Sequence, residues 1–430
     1  MIIQTLSNLK TYFKDYNLIY PILLSFCFGS FAVNLSMLIC TLIFIVKFRF
    51  IKIYIKQFKL IFYIAVIFWI ILFISTILNN FYDIKNIYKS FAYLRFIFLP
   101  FVIIYFLERV DKKKFFIFFN FIILFLIFDI FFQFYFKFDL FGYKLAELGN
   151  PRMDRISGFF GNELIAGTYL SLFGFTAFFL LREFKLFNNN IFLFSYLILL
   201  ITSIIITGDR IGILFILGIV LFNVVFNSYL RKFFVISFLI FVITSTILIK
   251  NSDKLSYRYI GNIKSIIKLD KLSNTKYENL IKSPWISHYL VSWEMIKDRP
   301  LLGFGNKGFR KYCNQYAEKE NKSSYKHKCT THPHNTYFEI LVETGIFGLS
   351  FFILFNFLIF IKILKSNKEI LLLVYSVIFT ILNPLRPSGS FLSTWTGGIF
   401  WMIIGILLYY LYIDQINKKR YLKKLSSQEY

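Results

Sequence analysis

Apolar runs of roughly 17–22 residues recur along this chain, each long enough to cross a hydrocarbon layer of about 30 Å as one helix. No soluble protein of 430 residues buries so much apolar surface: 57% of the residues are hydrophobic, 21% are aromatic and 59 are phenylalanine. The runs are continuous rather than alternating, and in lipid only helices and closed barrels satisfy every backbone N–H and C=O. The fold class is therefore an all-α polytopic membrane protein. About twelve spans are expected, near 18–33, 35–46, 59–78, 91–107, 115–136, 163–181, 191–207, 211–228, 233–249, 337–361, 369–383 and 391–412. Only Asn34 and Leu35 separate the first two, which predicts a tight hairpin there. No small-residue cleavage site follows the first run, so it is expected to remain as an anchor.

This pattern divides the chain into nine spans over 1–249, a long loop over 250–336, three spans over 337–413 and a basic tail over 414–430. Lysine and arginine in the short loops give the orientation. About 23 fall on the side of the termini and about 8 on the other, so both termini are expected in the cytoplasm and the long loop outside it. That loop carries 17 Lys and Arg against 7 Asp and Glu, and loops of such length lie outside the positive-inside rule. Its excess suits anionic lipid headgroups or a phosphorylated substrate; nucleic acid is not expected on that face.

The loop also holds all four histidines, His288, His327, His332 and His334. Ser283-Pro284 is a helix start, with a capping hydroxyl and Pro at the first helical position. Ile286, Tyr289, Leu290 and Trp293 then form a stripe at helical spacing, and Pro300 disfavours helix at Arg299. A second stripe, Phe309, Tyr312, Cys313 and Tyr316, predicts a short helix over 307–320. Both helices are amphipathic, so they are expected on the membrane surface. Cys313 and Cys329 share this loop, where an oxidising compartment permits a disulfide that would staple it. Cys27 and Cys40 fall within spans as packing residues.

Arg210 stands in a very tight turn between two apolar spans, where an arginine is costly unless paired or near water. It reads either as a salt bridge to Asp209 or as an anion clamp, since a planar donor fork matches phosphate oxygens. Arg299, opening RPLLGFG, reads either as a second clamp or as a solvated residue capping a helix end, and Arg155 and Arg386, in Gly/Pro-rich segments of the outward face, read as further clamp candidates or as structural residues. His334 adjoins Asn335 and the tenth span, at the lipid–water boundary. Imidazole, with an ordinary pKa of about 6.5, accepts a proton at neutral pH. His327, His332 and His334 follow no tight metal-ligand spacing, so neither metal nor cofactor is expected. Glu343 lies within the tenth span as a partner for an arginine or a helix-end residue. Arg95 and Asp129, mid-span in two neighbouring helices, read as a structural pair.

Four segments carry a family resemblance: RISGFFGNELIAGTYL (155–170), TGDRIGIL (207–214), RPLLGFGNKGF (299–309) and HPHNTYFEILVETGIFGL (332–349). In order and content they resemble the O-antigen ligase and polymerase superfamily of bacterial envelope glycan assembly. The resemblance implies a metal-independent glycosyltransferase of GT-C-like architecture in the bacterial inner membrane, acting on the periplasmic side. Its donor would be an undecaprenyl-diphosphate-linked glycan, and its acceptor lipid A–core for a ligase or lipid-linked glycan for a polymerase. Carried over by motif, Arg210 and Arg299 would hold the donor diphosphate and His334 would act at the transfer site. His332 is an additional histidine able to exchange roles with it, and Asn335, Arg155, Arg386 and Glu343 are substrate-binding candidates. The histidine motif favours ligase over polymerase. A polysaccharide or lipid transporter is the reading from another class; it predicts internal repeats, and none is visible.

Overall fold

The polar residues that interrupt the apolar runs settle where each helix begins. Asp83, Asp111, Asp209 and Asn335 cap helices by accepting backbone N–H groups of the first turn. The computed structural model describes residues 14–80, 82–144, 155–183, 190–261, 284–319, 329–366, 368–384 and 389–426. Within them the chain runs through α1 (Ile19–Ser25), α2 (Gly29–Val46), α3 (Phe48–Gln57), α4 (Lys59–Asn80), α5 (Ile84–Ala92), α6 (Leu94–Arg109) and α7 (Lys112–Phe136). Next come α8 (Ala166–Tyr169), a π-helical turn (Leu170–Gly174) and α9 (Phe175–Glu183). Then follow α10 (Asn190–Ile206), α11 (Arg210–Phe226), α12 (Arg231–Lys250) and α13 (Asp253–Ser256). After these stand α14 (Pro284–Asp298), α15 (Gly308–Lys319), α16 (Thr336–Leu364), α17 (Glu369–Ile381) and α18 (Thr394–Ser426).

The described residues form no β-strand, and seven helices are long and apolar enough to cross a membrane. Three shorter apolar helices, over Ile191–Ile206, Arg210–Phe226 and Glu369–Ile381, join them. The centre of the bundle is α6 against α18, where Gly405 lets the two backbones approach at Pro100. The outer faces are greasy: α12 leaves Ile236, Leu239, Ile243 and Ile247 exposed, as lipid contact requires.

Contacts sort the helix ends into two groups. At one end Asp15 pairs with Lys47 at 3.0 Å and accepts from Tyr105 at 2.9 Å. There too Gln57 bonds Gln415, Arg182 pairs with Glu369 at 3.5 Å, and Ser366 donates to Asp414 at 2.9 Å. These are the loops expected on the side of the termini. At the other end lie Asn79, Arg155, Asp209 and the described parts of the 250–336 region.

The first hairpin differs from expectation. Its turn falls at Phe26–Phe28, before a left-handed Gly29, and Asn34 sits inside α2. The reason is that Asn34 has partners within the bundle: its Oδ1 accepts from Arg95 at 2.6 Å and from Thr394 at 3.2 Å. A satisfied amide need not end a membrane helix. The same bond separates Arg95 from its expected partner, because Asp129 instead accepts the Leu140 N–H at 2.8 Å.

The described parts of the long loop include two helices close to their expected bounds, α14 and α15. Val291, Met295, Phe304, Phe309, Cys313 and Val342 form a small core between α14, α15 and the start of α16. In α14 the expected apolar stripe does not enter that core; Leu290 and Trp293 are exposed, and His288 and Ser292 are buried. Leu290 and Trp293 are left for a membrane surface, Tyr289 stacks on Phe338 at 5.1 Å between ring centres, and the face with Val291 and Met295 packs on protein.

The chain segment before α15 is bound into a break in α16. Gly345 has φ 64° and ψ −169°, which interrupts the helical ladder inside the apolar layer. The loop supplies the missing partners: Ile346 N–H donates to Pro300 O at 2.8 Å, Phe304 N–H to Val342 O at 2.8 Å and Gly305 N–H to Glu343 O at 2.9 Å. α4 grips the same loop, with Ser75 Oγ donating to Glu343 O at 3.1 Å, Asn79 to Gly303 O at 3.0 Å and Asn306 N–H to Thr76 at 2.9 Å. A Cβ on Gly345 would overlap the Leu301 carbonyl. Gly345→Ala is therefore expected to destabilise the protein by about 3 kcal/mol or more. Thermal unfolding in detergent reads this directly, with Gly389→Ala, which meets only Thr396 at 3.5 Å, as the mild control.

Candidate functional site

Three groups of candidate side chains gather at the end of the bundle that carries the 250–336 region. The first is built on the turn before α11. Gly208 at φ 68° reverses the chain, and buried Asp209 caps α11 through Ile211 N–H at 3.2 Å. Asp209 also accepts from Thr168 at 2.8 Å and pairs with Arg155 at 3.4 Å. Arg155 reaches the Leu164 carbonyl as well, and its buried Nε has no hydrogen-bond partner among the described residues. Arg258, after α13, donates to Gly208 O at 3.1 Å, while Arg210 Nε donates to Arg258 O at 3.2 Å. Burial and the nearby charges of Arg210 and Arg155 hold the Arg258 guanidinium below its ordinary range. Three arginines thus crowd around one carboxylate, which leaves an excess of positive charge suited to an anion.

The second group is the histidine turn between the disulfide and α16. Cys313 and Cys329 are bonded, which ties α15 to the chain three residues before His332. His334 takes φ 58°, a left-handed conformation uncommon outside glycine. Its ring lies 4.2 Å from that of His332 and 5.4 Å from that of His288 on α14, centroid to centroid. Thr331 Oγ1 hydrogen-bonds His332 Nδ1 at 2.8 Å. Asn335 is spent on structure: its Oδ1 caps α16 through Tyr337 and Phe338, and its Nδ2 donates to Pro384 O at 2.7 Å. Arg299 is exposed, its guanidinium 4.8 Å from the Phe304 ring centre.

The third group lines a cavity of about 1610 Å³ between α2, α5, α6 and the start of α16. His332 and Glu343 reach it, whereas Arg210, Arg299, Arg155, His334 and Asn335 are not in its lining. Arg386 and His327 lie outside the described residues. The cavity adds groups that the sequence does not assign to the site: Lys85, Lys89 and Arg310 outside the four family-like segments, Lys307, Glu163 and Glu339 within them, and Arg95, which reads there as structural. Glu339 accepts from Ser390 Oγ and, at 2.7 Å, from Phe391 N–H, so it anchors the segment entering α18. Glu343 is buried, and its Oε2 has no hydrogen-bond partner among the described residues. Glu339 stands one turn before Glu343 on the same face, and that spacing in an apolar run was the available signal. Among the described residues no group of three His, Cys, Asp or Glu is placed to hold a metal ion.

Residues 195–353 match the family model described as O-antigen ligase. The chain carries a domain of the O-antigen ligase superfamily. No curated protein matches the chain. The family domain contains Arg210, Arg258, Arg299, all four histidines, Glu339 and Glu343. The walls formed by α2, α5 and α6 lie outside it, as does Arg155. The cavity is therefore enclosed jointly by the family domain, the preceding part of the chain and the segment 389–396 that follows it.

Alkylation of the unfolded protein tests the staple. Without reductant two cysteines, Cys27 and Cys40, should label, and after reduction all four. Four labels before reduction would show the bridge absent.

Proposed function

We propose that this protein is an O-antigen ligase-type glycosyltransferase that moves a glycan from undecaprenyl diphosphate to lipid A–core. Arg210 and Arg299 stabilise the diphosphate, and the His332–His334 pair takes the acceptor proton. The family position falls on His334 and the cavity-facing position on His332. The observation that carries this reading is the O-antigen ligase match, which includes both arginines and both histidines. The cavity supports it, because a cationic head continuous with an apolar groove suits a lipid-linked substrate. The same reading includes a GT-C-like bundle of about twelve spans in the bacterial inner membrane. Both termini lie in the cytoplasm and transfer occurs on the periplasmic face.

The chemistry balances without a metal in this mechanism. The acceptor hydroxyl loses its proton to the imidazole as its oxygen bonds to the anomeric carbon. The glycosidic C–O bond to the carrier breaks, and its electron pair leaves on the diphosphate oxygen, where the arginine forks meet the developing charge. Attack opposite the leaving group inverts the anomeric centre.

Transfer assays with correctly inserted protein test this. Arg210→Ala, Arg299→Ala and His334→Ala should each lower turnover by about 10²-fold or more. Wild-type turnover in all three would refute the assignment, and His332→Ala compared with His334→Ala identifies the base. Glycan that accumulates on the carrier lipid in a deletion strain marks a ligase; a single capped repeat marks a polymerase.

A further inference from the structure

We propose that the cavity between α2, α5, α6 and α16 is the binding site of a second phosphorylated lipid, the acceptor of the transfer. Its phosphate would rest on Lys89, Lys307 and Arg310, and its hydrocarbon chain along α2. The inference rests on the functional reading above for the word acceptor, and on geometry for the ligand class.

The first observation is an excess of positive charge. Five cations line the cavity against three carboxylates; Glu343 attracts Lys307 and Arg310, and among the described residues none of the five comes within 4.0 Å of a carboxylate as an ion pair. Of the three carboxylates in the lining, Glu339 is committed to Ser390 and Phe391. Lys89, Lys307 and Arg310 share that lining. Burial, and then the like charges of Lys89 and Arg310, hold the Lys307 ammonium below the ordinary lysine range. Lys307 also takes φ 60°, and its backbone N–H bonds Glu343. Local strain that gathers like charges at a cavity is the arrangement an anionic ligand relieves.

The second observation is the groove. Phe31, Leu35, Leu38 and Ile45 follow one stripe of α2, all line the cavity, and are 82%, 50%, 55% and 63% exposed. From Phe31 to Ile45 that stripe is about 21 Å long, most of a hydrocarbon leaflet pair. A soluble anion needs no such wall, whereas a lipid does.

The third observation is that a separate cation group exists. Arg155, Arg210 and Arg258 surround Asp209 and lie outside the cavity lining. A transfer between two membrane-anchored, phosphorylated substrates requires two such places. The cavity's α2, α5 and α6 walls come from residues before 195, outside the family domain, and residues 389–396 add to them from beyond its end. A substrate that differs from one family member to another would be read by that part of the chain.

Direct binding tests this independently of turnover. Full-length protein in phosphatidylcholine nanodiscs is titrated with fluorescent lipid A, and separately with undecaprenyl diphosphate. Lys89→Gln/Lys307→Gln should weaken lipid A binding about tenfold or more and leave undecaprenyl diphosphate binding within about twofold. Leu38→Trp, which narrows the groove without touching a charge, should weaken lipid A alone. Inorganic phosphate in excess should not displace the lipid; displacement would make this a soluble-phosphate site and overturn the proposal. Unchanged lipid A binding in both variants would also overturn it, as would loss confined to undecaprenyl diphosphate, which would assign the cavity to the donor. Absence of transfer by the wild-type protein would instead count against the functional reading and leave the binding result standing.

Discussion

A broken membrane helix has to find hydrogen-bond partners inside the protein, and the rest of this end of the molecule follows from how α16 does so. At Gly345 the ladder stops within an apolar layer that offers no water. Each orphaned backbone group costs on the order of a few kcal/mol in that setting. The segment from Pro300 to Gly305 meets the break with three backbone bonds of 2.8–2.9 Å, and α4 holds that segment from its other side. The long loop is thus fastened to the membrane bundle by backbone geometry, which side-chain substitution alters little. Lys307 and Arg310 follow immediately, so their entry into the cavity is a consequence of the same junction.

The disulfide and the small loop core extend this fixation to the histidines. Cys313 is buried among Met295, Phe304 and Phe309, and its bridge ends three residues before His332. On the far side Asn335 caps α16. His332 and His334 are therefore held between a covalent tie and a helix start, on a turn that includes one left-handed residue. Such bracketing limits the positions two imidazoles can explore, as the proposed acid–base role at an acceptor hydroxyl would demand.

Much of the fold was legible because hydrocarbon imposes its own periodicity. The apolar runs marked most of the helices, and Pro284 and Pro300 bounded α14 as the backbone requires. The cysteine pair was legible as a possibility and is a bond. Legibility failed where a polar residue had a tertiary partner. Asn34 reads as a hairpin signal until Arg95 and Thr394 satisfy its amide, and Arg95 and Asp129 read as partners until each is found bonded elsewhere. For the site, the arginine and histidine motifs identified the end of the bundle, but Lys85 and Lys89 carry no local mark. They acquire meaning only because α5 sits opposite residues more than two hundred positions later. Asn335 shows the converse: a residue beside a functional motif whose amide is fully engaged in capping a helix.

The division of labour along the chain then has a physical logic. Residues 195–353 contain the strained turns, the clustered histidines and the broken helix, all features whose geometry tolerates little change. The earlier helices contribute a cationic patch and an apolar stripe, features that tolerate substitution because charge and hydrophobicity act through sums rather than exact positions. On the proposed reading, a cavity assembled from one rigid wall and one adaptable wall would let the reacting groups stay fixed while the bound lipid varies. The α2 groove, Lys85 and Lys89 thus lie outside the matching segment and face Glu343 and His332 across the same space, while Lys307 joins them from within that segment.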